Sequence, residues 1–535
     1  MSKMIETWGG RIVVIVILAA GIFVFSQLPA AQDYRSGADE GTYYGYGRQI
    51  LDHGFAGFAN LAREFSATPA AAHPPNPLRL GTVLTSALAL CIHDGYDSLS
   101  MISLLSFLLL LACGWRFLAH DFNRPLALVT VILLAVSPLQ LAMARRALMD
   151  SLAATTAALS FFLLLRLLES ATPRRVAAFV LMFTFAVLVK ETALLLLPFY
   201  AAILLYPMLC ERTFARLPQV AAALCLPPIL AGLAYLGAYG MDAVIEILKL
   251  LPERSVYDAV WEQGPWYRYL FDYLMLSPLV LLLGVAGAGD ALLHARDRRL
   301  LPWLGLAVYM LFVYAPLTKN VRYCLLLDVP IRLFAAAMVL ALAYRLRARI
   351  RRHRAVQTWA EKMLTRWIHA ALPAIAMLVL TVSDIGAFQR YFIAAGIYDP
   401  ISYNLLETNH SVPRMRLLET APEAAPAAAN SGALITARAR VVAQPDATGL
   451  LALGYEYCAA GLPLECSWAS REAVRLAPAN ARAFNNLCAA YNGLGDWSRA
   501  IEACREALRL DPTLALARNN LAWAESQAAK FSAMR

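Results

Sequence analysis

Ala335-Ala-Ala-Met-Val-Leu-Ala-Leu-Ala-Tyr-Arg345-Leu-Arg-Ala-Arg-Ile-Arg-Arg-His-Arg354 ends an apolar run that begins near residue 323 and closes it with six arginines. A run of that length and character is a membrane span, because about 20 apolar helical residues are needed to cross the hydrocarbon. The arginines mark its cytoplasmic end, since short basic loops stay on that side. The same pattern recurs along the chain, and spans are expected at residues 11–28, 99–119, 125–143, 151–168, 176–189, 192–209, 217–239, 267–290, 300–316, 323–344 and 368–386. Composition agrees: 60% of the 535 residues are hydrophobic and 16% charged, with a mean hydropathy of +0.55. That is too apolar for a soluble domain. The expected fold class is therefore all-α: a polytopic transmembrane helical bundle of about eleven crossings with external amphipathic helices. The net charge of +10 does not point to nucleic acid, because the basic residues gather in short loops between apolar segments.

Orientation follows from those loops. Residues 345–354, the His294–Arg299 loop and the Arg212/Arg216 loop fall on one side if the spans alternate. Asp150, Lys190, residues 240–266 and Lys319–Arg322 then fall on the other, external side, together with the loop from about Pro29 to Pro77. The Leu78–Ile92 segment is short and follows a proline-rich run, which predicts a re-entrant or surface-lying helix rather than a crossing. The first apolar segment has signal-peptide features, but as an uncleaved anchor it keeps the external loop attached.

That loop holds the strongest chemical motif, Ala38-Asp-Glu-Gly-Thr-Tyr-Tyr-Gly-Tyr-Gly-Arg48. Two adjacent carboxylates at a membrane surface repel one another, which suits one of them to accept a proton. The bland alternative is a helix cap at Asp39 with tyrosines as interfacial anchors. Gly41, Gly45 and Gly47 predict a looser segment than a helix usually permits. Further along, Lys190, Lys319 and Arg322 lie at external span ends, where cations neutralise a lipid phosphate or simply snorkel to water. Asp150 follows Arg146 by four residues, a spacing that predicts a helical ion pair. Histidines are scattered, and cysteines in the membrane part show no metal-ligand spacing, so no metal site is expected from the pattern.

Taken in order, Asp39-Glu40-x-x-Tyr43, His73-Pro74-Pro75, Arg146-Ala-Leu-Met-Asp150, Leu188-Val-Lys190-Glu191, Gly264-Pro-Trp266-Tyr267 and Thr318-Lys319-Asn-Val-Arg322-Tyr323 resemble the motifs of the GT-C superfamily of polyprenyl-linked-sugar transferases. The closer likeness is to the protein O-mannosyltransferase and aminoarabinose transferase branch. It covers about residues 30–340. The resemblance implies a multi-pass enzyme of the bacterial inner membrane with periplasmic catalytic loops. It would use a polyprenyl-phosphate sugar donor and work among membrane lipids, in an inverting displacement on a lipid, glycan or protein acceptor. It implies catalytic roles for Asp39 as general base, Glu40 beside it and Asp150, and substrate-binding roles for Tyr43, His73, Lys190, Trp266, Lys319 and Arg322. His73 stands where many relatives have lysine, and a neutral imidazole is a poorer phosphate partner. The resemblance makes no cofactor certain and leaves a divalent cation open, with Glu40 either sharing the proton or holding that metal. The alternative is a non-catalytic membrane scaffold of a surface-polysaccharide or glycosylation system that recruits partners through its tail, and a third reading is a lipid-linked-sugar transporter.

The tail repeats with a period of 34 residues. Pro478 and Pro512, Gly461 and Gly495, and Asn485-Asn486-Leu487 and Asn519-Asn520-Leu521 are each one period apart. This is the tetratricopeptide period, so residues 447–535 are expected to form a small α-solenoid, either a binding face for a peptide or protein partner or a folded appendage that stabilises the outer loops. Residues 1–386 form the membrane domain in this reading, and 387–446 a linker region. Cys458, Cys466, Cys488 and Cys504 lie in the repeats, and Cys488 and Cys504 at apolar packing positions predict core thiols.

Overall fold

The computed structural model describes residues 2–28, 39–67, 75–212, 214–250, 267–294, 298–317, 320–352, 359–393, 432–443 and 446–533. Every regular element among them is helical. Among the described residues, six helices are long and apolar enough to cross a membrane: Gly9–Ser26, Tyr96–Asp121, Asp150–Glu169, Glu191–Glu211, Leu217–Tyr239 and Val321–Leu346. A seventh crossing arises if Arg124–Ala135 and Pro138–Ala144, which meet at 59°, count as one span. Of the other expected crossings, Pro173–Val189 has 17 residues, Leu301–Tyr314 has 14, residues 267–290 divide into Arg268–Leu276 and Pro278–His294, and residues 368–386 lie within the 30-residue helix Trp359–Phe388.

Local sequence explains where several helices start. Asn123, Ser137 and Thr172 each precede a proline at the first helical turns, and each accepts a bond from a backbone N–H of that turn. These are N-caps followed by a residue whose missing N–H costs nothing there. The Leu80–Ile92 helix has 13 residues, too few to cross. It packs instead against the Asp39–His53 and Pro173–Val189 helices. The glycines of the first motif do not loosen it, since Asp39–His53 is a continuous helix. Gly47 shows why a small residue suits this site: a Cβ there would lie 2.8 Å from Leu90 Cδ1 and 3.0 Å from Ala87 N.

One charged cluster lies deep within the bundle. Arg332 is fully buried, with Nε 2.7 Å from Asp328 Oδ1 and Nη1 2.7 Å from Asp384 Oδ2. It also donates to Leu133 O, near the carboxyl end of Arg124–Ala135, while Asp328 accepts from Ser137, the cap of Pro138–Ala144. The cation thus meets the negative end of one half-helix and the anion the positive end of the next, which stabilises the 59° bend. Charges inside a bilayer must be paired in this way.

The tail helices Gly432–Ala443, Ala447–Ala459, Pro463–Leu476, Ala481–Gly493, Trp497–Leu510 and Ala515–Ala533 pack in series. Gly461 and Gly495, one period apart, both have φ +71°, so the repeat reproduces the same left-handed turn. Leu434 and Val441, within the expected linker region, join the apolar core of the first repeat. The cysteines correct the expectation of core thiols: Cys458–Cys466 and Cys488–Cys504 are disulfides. Antiparallel helices of one repeat bring Cα atoms to 5.1 and 5.2 Å, within bridging reach, a proximity that packing position alone does not reveal. The second bridge closes a separation of 16 residues, for which chain entropy alone gives about 3 kcal/mol. Reduction of the intact protein is therefore expected to raise proteolytic cutting within residues 447–533 roughly a hundredfold. Unchanged cutting rates with and without reductant would show that helix packing suffices.

Candidate active site

Three helix ends meet at one end of the bundle. Asp150 begins its helix, Lys190 follows Pro173–Val189, and Arg322 lies in the short 3-10 turn Val321–Cys324 before Leu325–Arg352. The first turn of Asp39–His53 joins them. Lys190 Nζ lies 2.6 Å from Asp150 Oδ1, and Arg322 Nη1 lies 2.9 Å from Asp39 Oδ2 and 3.8 Å from Asp150 Oδ2. Both cations also face the Tyr323 ring, at 4.6 Å for Lys190 Nζ and 5.7 Å for Arg322 Cζ. Burial pushes the Lys190 ammonium below the usual lysine range, while the Asp150 carboxylate acts the other way. Asp150 and Asp39 both stand in first helical turns, where the dipole favours an anion. The Asp39 side chain keeps 30% of its surface exposed.

Glu40 behaves differently from its neighbour. It is fully buried, and its Oε1 accepts from Arg146 Nε at 2.7 Å and from the Ala147 backbone N–H at 3.0 Å. This corrects the expected helical pair between Arg146 and Asp150. Residues 145–149 form a turn before the helix that starts at Asp150, so the four-residue spacing does not stack the two side chains. Arg146 instead reaches across to the surface helix and fixes its first turn.

Tyr43 is buried, and its hydroxyl accepts from Arg79 Nη1 at 2.7 Å. Burial pushes the Tyr43 phenol up, so it acts as a neutral hydrogen-bonding group. Arg79 is a site residue the motif reading missed. Its Nε and Nη2 each lie 2.9 Å from a Glu191 oxygen, a bidentate pair to which Asn76 adds a bond at 3.0 Å. The signal was an arginine standing against the start of a short apolar helix. Gly81 lets that helix approach the end of the Pro173–Val189 helix: a Cβ there would meet Val189 N at 2.8 Å, and Thr82 donates to Val189 O. An apolar cavity of about 310 Å³ opens beside Asn76 and Glu191 and runs past Leu194, Tyr235, Leu236 and Leu248. His73, Trp266 and Lys319 lie outside the described residues.

Among the described residues the site acids form no metal-holding group with histidine or cysteine. The grouping His120, Asp121 and Glu169 lies at the far ends of two helices, and Arg166 contacts all three of its members.

Residues 76–235, which contain Arg79, Arg146, Asp150, Lys190 and Glu191, match the family described as dolichyl-phosphate-mannose-protein mannosyltransferase. Residues 76–235 thus carry a match to a membrane glycosyltransferase family. Residues 481–514 match the tetratricopeptide repeat, so a repeat region follows the transferase domain. None of the curated proteins matches the chain. Among solved structures, the crystal structure of ArnT from Cupriavidus metallidurans in the apo state is similar at 14% identity and a TM-score of 0.44, covering 77% of this chain and 81% of that one.

Proposed function

We propose that the transferase domain moves a sugar from a polyprenyl-phosphate donor to an acceptor hydroxyl on the extracytoplasmic side of a bacterial inner membrane. The observation that carries this reading is the meeting of Asp39, partly open to solvent, with Arg322 and Lys190 on converging helix ends. Asp39 accepts the proton of the acceptor hydroxyl as its oxygen bonds to the anomeric carbon, on the face opposite the phosphate. The bond from that carbon to the phosphate oxygen breaks, and its electron pair leaves with the lipid phosphate, whose charge Arg322 and Lys190 neutralise. Asp150 orients Lys190, and Glu40, held by Arg146, orients the helix turn that presents Asp39. The cavity beside Asn76 and Glu191 suits the apolar chain of the donor, and Tyr43 suits the rim of the sugar site. His73, Trp266 and Lys319 remain proposed substrate contacts on the motif likeness alone. The tetratricopeptide repeats would hold a protein partner.

A scaffold has no use for a solvent-reaching acid set against two cations at a helix junction, and this favours catalysis over that alternative. The transporter reading gains little from the buried Asp328–Arg332–Asp384 cluster, because its charges satisfy one another. Sidedness is supported by the two tail disulfides, which suit an oxidising compartment, because an odd number of alternating crossings from a cytoplasmic amino terminus puts the tail on the external side. It is supported too by Arg345–Arg352, at the opposite end of the helix from Arg322.

The decisive test is mass spectrometry of surface glycans and glycoproteins from cells with and without the gene. Loss of one sugar from one acceptor class is expected, and identical profiles would remove the proposed activity. For sidedness, single cysteines at the exposed positions Asp52 and Arg349 should label from opposite faces, in a background lacking the exposed free thiols Cys91, Cys210 and Cys225. Glu40, fully buried, is unsuited to that measurement.

A further inference from the structure

We infer that Arg322 covers Asp39 until a lipid phosphate draws it away, so that the donor must bind before the acceptor. The inference rests on the donor reading above and adds an order of events to it. Arg322 Nη1 lies 2.9 Å from Asp39 Oδ2, so the oxygen proposed to take the acceptor's proton is already engaged by a guanidinium. The same nitrogen stands 3.8 Å from Asp150 Oδ2, while Lys190 holds the other Asp150 oxygen at 2.6 Å. Arg322 is therefore shared between two acids, and the longer contact is to the acid that has a second cation.

The two partners of Asp39 and Asp150 are not equally committed. Asp39 keeps 30% of its side chain exposed, whereas Asp150 keeps 8%. An ion pair at the rim is weakened by water, which makes its exchange for another anion inexpensive. A phosphate offers the planar guanidinium two oxygens at once and carries more negative charge than the Asp39 carboxylate. The Tyr323 ring, 5.7 Å from Arg322 Cζ, provides a face along which the guanidinium can shift and stay in contact. A phosphate between Arg322 and Lys190 thus releases Asp39 as it binds, and an acceptor that arrives first meets an occupied carboxylate.

The test is a double-mutant cycle on the intact protein in lipid nanodiscs, with farnesyl monophosphate as the titrated probe and inorganic phosphate as the headgroup alone. Asp39→Asn is expected to tighten farnesyl phosphate binding by about three- to tenfold, because Arg322 no longer has to leave a carboxylate. Arg322→Gln is expected to weaken binding about tenfold or more. The double variant should bind as Arg322→Gln does, since no guanidinium remains to be released. Asp39→Ser should repeat the gain of Asp39→Asn, which guards against a misfolded variant, and thermal unfolding of each protein verifies the fold. An Asp39→Asn affinity equal to wild type would overturn the inference, as would the same gain in the Arg322→Gln background, which would reduce the effect to general charge repulsion. Wild-type protein that binds farnesyl phosphate no better than inorganic phosphate would remove the donor reading and this inference together. Normal probe binding without the Asp39→Asn gain removes the covering role alone.

Discussion

Asp39→Asn is expected to lower sugar transfer by about a hundredfold or more while leaving insertion and thermal unfolding close to wild type. A positioned base contributes on the order of 10² to 10⁴ in rate, and an amide of the same size cannot take the proton. The structural cost should be small by comparison. Asp39 is at the rim of the site with 30% of its side chain exposed, and Arg322, which keeps 11%, retains Asp150 at 3.8 Å once Asp39 is an amide. The two readouts therefore separate chemistry from folding. Retained turnover in Asp39→Asn would leave the displacement without its assigned base, and Asp150, already held by Lys190, is poorly disposed to replace it.

Arg146→Met should instead act on folding. It would leave the Glu40 carboxylate fully buried with the Ala147 N–H at 3.0 Å as its remaining bond. Breaking a buried pair from one side costs about 3–5 kcal/mol, far more than losing a surface pair, because a desolvated charge is left behind. A marked fall in unfolding temperature is expected, with loss of activity as the first turn of Asp39–His53 shifts. Adding Glu40→Gln should recover most of the stability, since the stranded charge is then gone. Equal unfolding temperatures for Arg146→Met and wild type would mean that the surface helix is held by its other contacts, such as Gly47 against Leu90.

Adjacent acids in a sequence thus need not share a role. Asp39 and Glu40 differ by 100° around a helix, and that rotation sends one to the solvent-facing junction and the other into the bundle. The spacing from Arg146 to Asp150 misled for a related reason: it is meaningful on a helix, but those residues span a turn and a helix start. Asp328 and Arg332, four apart inside an apolar run, were open to the same reasoning and would have been found by it. Arg79 and Glu191, 112 residues apart, could not have been paired this way.

The sequence by itself determined the solvent and the period. Apolar runs of bilayer length require helices, because backbone groups in lipid must be bonded internally. The 34-residue repeat likewise requires stacked helix pairs, and these are governed by local pattern. Only the tertiary structure decided which charges meet. The partners of Glu40, Arg79, Asp150 and Arg332, and the two tail bridges, depend on how helix ends converge in space. A buried charge must find its counterpart wherever packing brings one within reach, and distance along the chain does not encode that.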